Sequence, residues 1–184
     1  RAEPLTHVRI ALGSMGMNMK DVNTILGASV LKCWKLVNKP FQGQAGRELD
    51  GLISQLGRSR EEFYVTNVVN ERPPGNNFGV YYEDKGRKSP TDKLVANYNR
   101  LYKELEEVNP NVIIALGSEA MKALNRNTLG QVEKWRGSLI SAGRFKMVST
   151  YHPSMLVRGG KTKDGVPIRP IMLLDFKKAL RESS

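Results

Sequence analysis

The sequence predicts an α/β fold in three layers, with helices on both faces of a central, mostly parallel four-stranded sheet. Three observations lead there. Short runs of β-branched, aromatic and aliphatic residues alternate with longer stretches whose apolar residues recur at helical spacing. One short run, Val112–Leu116, is apolar throughout and ends in Gly117, the pattern of a parallel strand buried on both faces. A length of 184 residues, with 40% hydrophobic and 26% charged, suits a single such domain spanning 1–184.

Each element has its own signal. His7–Leu12 alternates, carrying Val8, Ile10 and Leu12, and reads as a first strand ending at Gly13, with Gly13-Ser14-Met15-Gly16 as the loop after it. Asp21 is a good helix cap. Behind it Val22, Ile25, Leu26, Ser29, Val30, Cys33, Trp34 and Val37 keep helical spacing, so 21–37 reads as a helix inserted in the domain. Gly27 in its middle leaves a competing reading, a strand Val22–Leu26 that ends at Gly27.

Pro40–Gly46 is a glycine-bearing loop, and Arg47–Leu56 a helix with Leu49, Leu52, Ile53 and Leu56 on one face and Gly57 as its stop. Phe63–Val69 is the second strand. The polar stretch Asn70–Lys88 carries Pro73-Pro74-Gly75 and is not regular throughout. Ser89-Pro90-Thr91-Asp92 opens a helix with a capping hydroxyl, a proline and an acid; Leu94, Tyr98, Leu101, Leu105 and Val108 continue it, and Asn109-Pro110 ends it. Ser118 to Leu124 is a further helix, Phe145–Thr150 the fourth strand, and Pro170–Leu180 a closing helix.

Charge narrows the partner. Lys and Arg number 29 against 18 Asp and Glu, a formal net charge of +11. Such an excess concentrates polyanions, nucleic acid foremost, with a membrane surface as the alternative. No apolar run reaches the roughly 20 residues that cross a bilayer, and there is no secretory pattern. The one cysteine, Cys33, excludes an internal disulfide and an all-cysteine metal site, and suits a reducing, cytoplasmic setting. No cofactor, no membrane association and a monomer are expected.

Ligands of open parallel sheets sit beyond the carboxyl ends of the strands. Those places hold Gly13-Ser14-Met15-Gly16-Met17-Asn18, Thr66-Asn67-Val68-Val69 with Arg72-Pro73-Pro74-Gly75-Asn76, Ala115-Leu116-Gly117 and Tyr151-His152-Pro153-Ser154-Met155-Leu156. Pro40-Phe41-Gln42-Gly43-Gln44-Ala45-Gly46 lies between the first two. In this order the set resembles the uracil-DNA glycosylase superfamily, especially its family 4, over nearly the whole domain. By themselves Phe41 reads as core packing and Asn67 as a turn residue.

The resemblance implies a DNA glycosylase that flips a base out of DNA and hydrolyses its N-glycosidic bond. It implies that Phe41 stacks on the base, that Asn67 reads its edge with an amide that both donates and accepts, and that His152 stabilises the leaving anion. Ser14, Met15, Gly16 and Met17 would line the base site. Gly43, Gln44, Ser154 and Arg158 would meet DNA, with Arg136 of Trp135-Arg136-Gly137 in a supporting place. Leu156, and after it Met155, is the candidate wedge for the gap in the duplex. Lys161, Lys163 and Arg169, beside Gly159-Gly160, suggest a flexible basic loop along the backbone or a solvated hairpin.

The chain departs from family 4 in three ways. The usual Gly-Glu-Ala-Pro-Gly is absent after Gly13. Gly16-Met17-Asn18 is instead similar to the Gly-Met-Asn of single-strand-selective glycosylases, which implies Asn18 as the water-positioning residue with Asp21 the nearest acid. Gly13 to Pro40 is about twice the family's interval, whereas Gly27 lies at the usual one, followed by Ala28 and Ser29. The cysteines of the family's iron–sulfur cluster correspond to Glu71 and about Asn97. These departures favour a modified base, such as a bulky 5-substituted pyrimidine of viral DNA in a defence role. Repair of uracil or deaminated bases, and a DNA-binding or processivity module without chemistry, are the alternatives. A dinucleotide enzyme is disfavoured, because no Gly-x-Gly-x-x-Gly follows a strand.

Overall fold

The computed structural model describes residues 23–27, 41, 43–71, 73–125 and 131–183, the first stretch by its backbone. Strands β1 (Asn23–Gly27), β2 (Phe63–Asn67), β3 (Ile113–Leu116), β4 (Leu139–Ala142) and β5 (Phe145–Thr150) form one five-stranded sheet in the order β2-β1-β3-β5-β4. β1 runs parallel to β2 and β3, and β3 to β5; β4 pairs antiparallel with β5 at the edge.

The sheet corrects two expectations. Residues 23–27 are a strand, so the helix expected over 21–37 does not form there, and the competing strand that ends at Gly27 is the one observed. A central strand is covered on both faces, so its apolar residues run together and periodicity alone does not separate it from a helix. The sheet also has five strands where four were expected. β4 is a short edge strand with Leu139 exposed, and it joins β5 through a two-residue turn whose first position, Gly143, has φ 63. His7–Leu12, Asp21 and residues 28–37 lie outside the described residues.

The helices are α1 (Gln44–Gln55), α2 (Asp92–Val108), α3 (Ser118–Leu124), α4 (Val132–Trp135), α5 (Ser154–Val157) and α6 (Ile168–Glu182). Helix α2 starts at Asp92, two residues later than a cap at Ser89 with Pro90 in the first turn would place it, because Pro90 bridges to Tyr82 instead. Thr91 Oγ1 accepts the Leu94 N–H at 3.3 Å, and Asn109 ends the helix in the left-handed region at φ 48.

Alternation along β3 and β5 sorts the core into two clusters. Ile113, Ala115 and Met147 pack with Leu94, Leu101 and Leu105 of α2 and Met121 and Leu124 of α3. Ile114, Leu116 and Val148 pack with Leu49, Leu52 and Ile53 of α1 and Met172 and Phe176 of α6. The sheet therefore lies between two helical layers. From β1 the chain steps outward to β2, then returns across β1 to β3, so the direction of winding reverses between β1 and β3. No helix among the described residues is long and apolar enough to cross a membrane.

Candidate active site

The carboxyl edge of the sheet collects the residues that matter. Gly27 pairs with Asn67 and Leu116 with Thr150, so the segments leaving β1, β2, β3 and β5 all depart from this one edge. Residues 63, 65 and 67 of β2 share a face. Phe63 and Val65 pack in the same cluster as Phe41, Tyr151, Met155 and Leu156, which puts Asn67 on the side of the sheet that carries Phe41.

Phe41 is 3% exposed and sits in the left-handed region at φ 58, a conformation that a bulky residue holds only when its surroundings impose it. The imposing neighbour is α1. A Cβ at Gly46 would lie 1.6 Å from the Phe41 carbonyl oxygen, so only glycine admits that carbonyl. Thus held, the Phe41 ring lies 5.7 Å from the His152 ring, centroid to centroid, tilted by 30°.

His152 comes just after β5 and packs against the turn after β3. Gly117, at φ 86, stands where a Cβ would come within 3.1 Å of His152 Cβ. The Ser154 N–H donates to His152 Nδ1 at 3.1 Å, and Ser154 Oγ lies 2.9 Å from the same nitrogen. Arg158 donates to that Oγ at 3.2 Å, which directs the serine proton toward the ring. With Nδ1 accepting, the neutral ring carries its proton on Nε2. Burial, reinforced by the Arg158 charge, lowers the His152 pKa from 6.5 to about 4.

Asn67 ends β2 at 1% exposure, and both atoms of its amide, Oδ1 and Nδ2, are buried without a hydrogen-bond partner among the described residues. A buried amide with both ends unmet is costly and calls for an explanation. Behind it the backbone is well held. Arg100 of α2 donates to the carbonyls of Asn67, at 2.6 Å, and Val68, at 3.0 Å, and pairs with Glu104. Tyr64 donates to the other Glu104 oxygen at 2.5 Å. A second buried network fixes the end of β5. Asp175 of α6, 2% exposed, accepts from Arg136 at 2.7 and 3.1 Å and from Thr150 Oγ1 at 2.7 Å.

Sequence reasoning missed Arg100, Glu104, Tyr64 and Asp175, because each acts across elements far apart in the chain. A helical Arg–Glu pair at i,i+4 was the one local hint.

Other expected residues fall into several environments. Arg136 is engaged by Asp175 in the network that ties down the end of β5. Gly43 caps α1 with its carbonyl, which accepts from Gly46 and Arg47, and Gln44 is exposed at the start of that helix. Leu156 and Met155 are partly buried against the second core cluster. Lys161 and Lys163 are exposed on a hairpin. Its pairing runs through Thr162 N–H to Val166 O and Ile168 N–H to Gly160 O, and the Thr162 hydroxyl accepts from Val166 N–H. Arg169 pairs with Glu48 of α1. Ser14, Met15, Gly16, Met17, Asn18 and Asp21 lie outside the described residues. After β1 the sequence continues with Ala28-Ser29, and residues 28–40 contain no Asp, Glu or His.

An iron–sulfur cluster does not fit the positions that the resemblance assigns to it. Glu71 accepts from Tyr81 at 2.9 Å and pairs with Lys93 at 2.5 Å, and these two hydrogen bonds, Lys93's the stronger, hold its carboxyl below the usual range. Asn97 Nδ2 donates to the Lys93 carbonyl at 2.9 Å. Both side chains are oxygen and nitrogen donors engaged with protein, and thiolates are what such a cluster requires.

Comparison with known proteins agrees with this geometry. A sequence profile of the uracil DNA glycosylase superfamily matches residues 34–172. The type-4 uracil-DNA glycosylase of Thermotoga maritima is 34% identical over 143 residues, 77% of this chain and 67% of that protein. That of Saccharolobus solfataricus is 32% identical over 148 residues, 76% of this chain and 61% of that protein. A DNA polymerase of Bacillus phage SP01 is 25% identical over 127 residues, 68% of this chain and 12% of the polymerase. The chain thus spans roughly two thirds or less of the two glycosylases it matches. The matched stretch takes in Phe41, Asn67 and His152 on a doubly wound α/β sheet, and the chain belongs to the uracil-DNA glycosylase superfamily.

Proposed function

We propose that the chain is a DNA glycosylase that draws a pyrimidine, uracil in the first instance, out of the DNA stack and hydrolyses its N-glycosidic bond. The observation that carries this reading is the unpartnered amide of Asn67, buried on the sheet face of the Phe41–His152 pair. A pyrimidine edge presents a carbonyl oxygen beside a ring N–H, the complement of an amide's donor and acceptor. Filling the site would satisfy both orphaned atoms at once.

Each residue then has a task. Phe41 offers a rigid face for stacking. His152, neutral and protonated on Nε2, offers a donor to the base oxygen on which negative charge grows as the bond breaks; a neutral donor suits an anion that forms only in the transition state. Ser154 and Arg158 keep that tautomer. The segment after β1 carries no carboxylate in its sequence, and the phosphates of the DNA itself can stabilise the sugar cation.

That missing carboxylate is the one observation that favours the second reading, a modified 5-substituted pyrimidine of viral DNA. The other reason for it, an inserted helix beside the pocket, is weakened by β1. Oligonucleotides bearing uracil, hypoxanthine or bulky modified cytosines, followed by alkali, test the proposal. Strand breaks at uracil are expected. Breaks confined to the modified bases favour the second reading. Intact strands with binding retained would make the chain a DNA-binding module.

A further inference from the structure

The base-reading amide has no hydrogen bond of its own, so its direction is set through its backbone. Asn67 forms the last pair of β2 with β1, and beyond it the ladder stops. Val68 and Val69 are fully buried, so the carbonyls at this point need donors from elsewhere. Arg100 supplies them, to Asn67 and Val68 together. One terminal nitrogen, Nη2, donates to both neighbouring carbonyls and so ties two successive peptide planes, in a direction that the planar guanidinium, held at Nη1 by Glu104, fixes better than a lysine's freely rotating ammonium would.

The arginine is itself held. Glu104, one turn further along α2, takes its other terminal nitrogen, and Tyr64 of β2 donates to the opposite Glu104 oxygen. Burial first, then the Glu104 charge and hydrogen bond, raise the Tyr64 pKa, so the phenol stays protonated and donating. The guanidinium keeps this place although its Nε is buried without a partner. The chain of contacts runs from one strand residue, through α2, back to the last residue of the same strand.

We propose that Arg100 is a positioning residue for Asn67, setting the amide for the base through the 67–68 backbone. This rests on the reading of Asn67 as the residue that meets the base edge. It requires that Arg100 act on the bond-breaking step through Asn67 and not on DNA binding.

The test compares wild type, Arg100→Gln, Arg100→Lys, Asn67→Ala and the double variant Asn67→Ala/Arg100→Gln. Single-turnover release of uracil from an oligonucleotide, and affinity for the same oligonucleotide bearing an abasic site, are measured. A sub-ångström to ångström misplacement of a reacting group costs up to about a hundredfold in rate, and Arg100→Gln is expected to lose about that much with abasic-site affinity unchanged. Arg100→Lys is expected to recover part of the rate. The double variant is expected to be no slower than Asn67→Ala alone, because residues acting through one contact are not additive.

Losses that multiply in the double variant, or abasic-site affinity that falls in step with the rate, would make Arg100 scaffolding and overturn the proposal. A wild-type rate in Asn67→Ala would overturn the base-reading assignment and, with it, the proposal. Should Arg100→Gln fail to fold, Glu104→Gln leaves the carbonyl donors and loosens only their anchor. It is expected to slow release in wild type and not in Asn67→Ala, and an equal slowing in both overturns the proposal.

Discussion

His152 takes its chemistry from two neighbours and from burial. Ser154 and Arg158 leave its proton on Nε2, and packing around the ring lowers its pKa from 6.5 to about 4. Unfolded, the ring takes up a second proton near 6.5; folded, only near 4. Between those values the unfolded state binds more protons, so this group costs no stability above about 6.5 and progressively destabilises the fold as pH falls toward 4. The same ring stays neutral through mild acid. We therefore expect uracil release to hold its rate down to about pH 5, with no fall at the ordinary histidine value. His152→Gln should cut the single-turnover rate by about a hundredfold or more, and should remove part of the loss of stability between pH 6.5 and 4. A rate that halves near 6.5 in wild type contradicts the neutral-donor assignment. The roles proposed for Phe41, Asn67 and His152 rest on motif order. The pKa of His152 and the backbone conformation of Phe41 do not, since the first arises from burial and the Arg158 charge and the second accompanies the close approach of α1 at Gly46.

Elements were legible where local chemistry decides them. The stop at Asn109 and the run 118–124 are found where the sequence puts them, while the cap of α2 falls at Thr91 and not at Ser89. The closing helix runs two residues beyond the expected Pro170–Leu180 at each end, Ile168–Glu182, packed on β5 and α1. β1 was ambiguous because so short a run does not separate strand from helix by periodicity alone; its pairing with β2 and β3 decides it. Helix α1 gives the prediction at this scale. Gly46→Ala places a Cβ 1.6 Å from the Phe41 carbonyl, so it should displace Phe41, slow base release about tenfold or more, and lower the melting temperature. Gly51→Ala in the same helix meets nothing nearer than an Arg169 nitrogen at 3.8 Å. It should keep full activity and gain about 0.5–1 kcal/mol from helix propensity. Equal behaviour of the two variants in activity and thermal melts would remove the special role of Gly46.

At the scale of the whole molecule, the charge of +11 reads directly from the sequence, while its disposition does not. Several cations are committed inside the fold: Arg100 to carbonyls, Arg136 to Asp175, Arg169 to Glu48. Lys161 and Lys163 stand exposed on the hairpin that joins the His152 segment to α6. Affinity for DNA should fall linearly with the logarithm of salt concentration, and replacing both lysines by alanine should reduce that slope by about two. An unchanged slope across titrations from low to moderate salt would mean that the hairpin does not touch phosphate.

Asp175 carries a temporal consequence. On the ribosome the segment through Thr150 and His152 emerges well before α6, and until Asp175 arrives the Thr150 hydroxyl and the Arg136 guanidinium lack the carboxylate that joins them. In a nascent chain the turn after β5 therefore precedes the carboxylate that ties it down, and its fixed shape waits for α6 to dock.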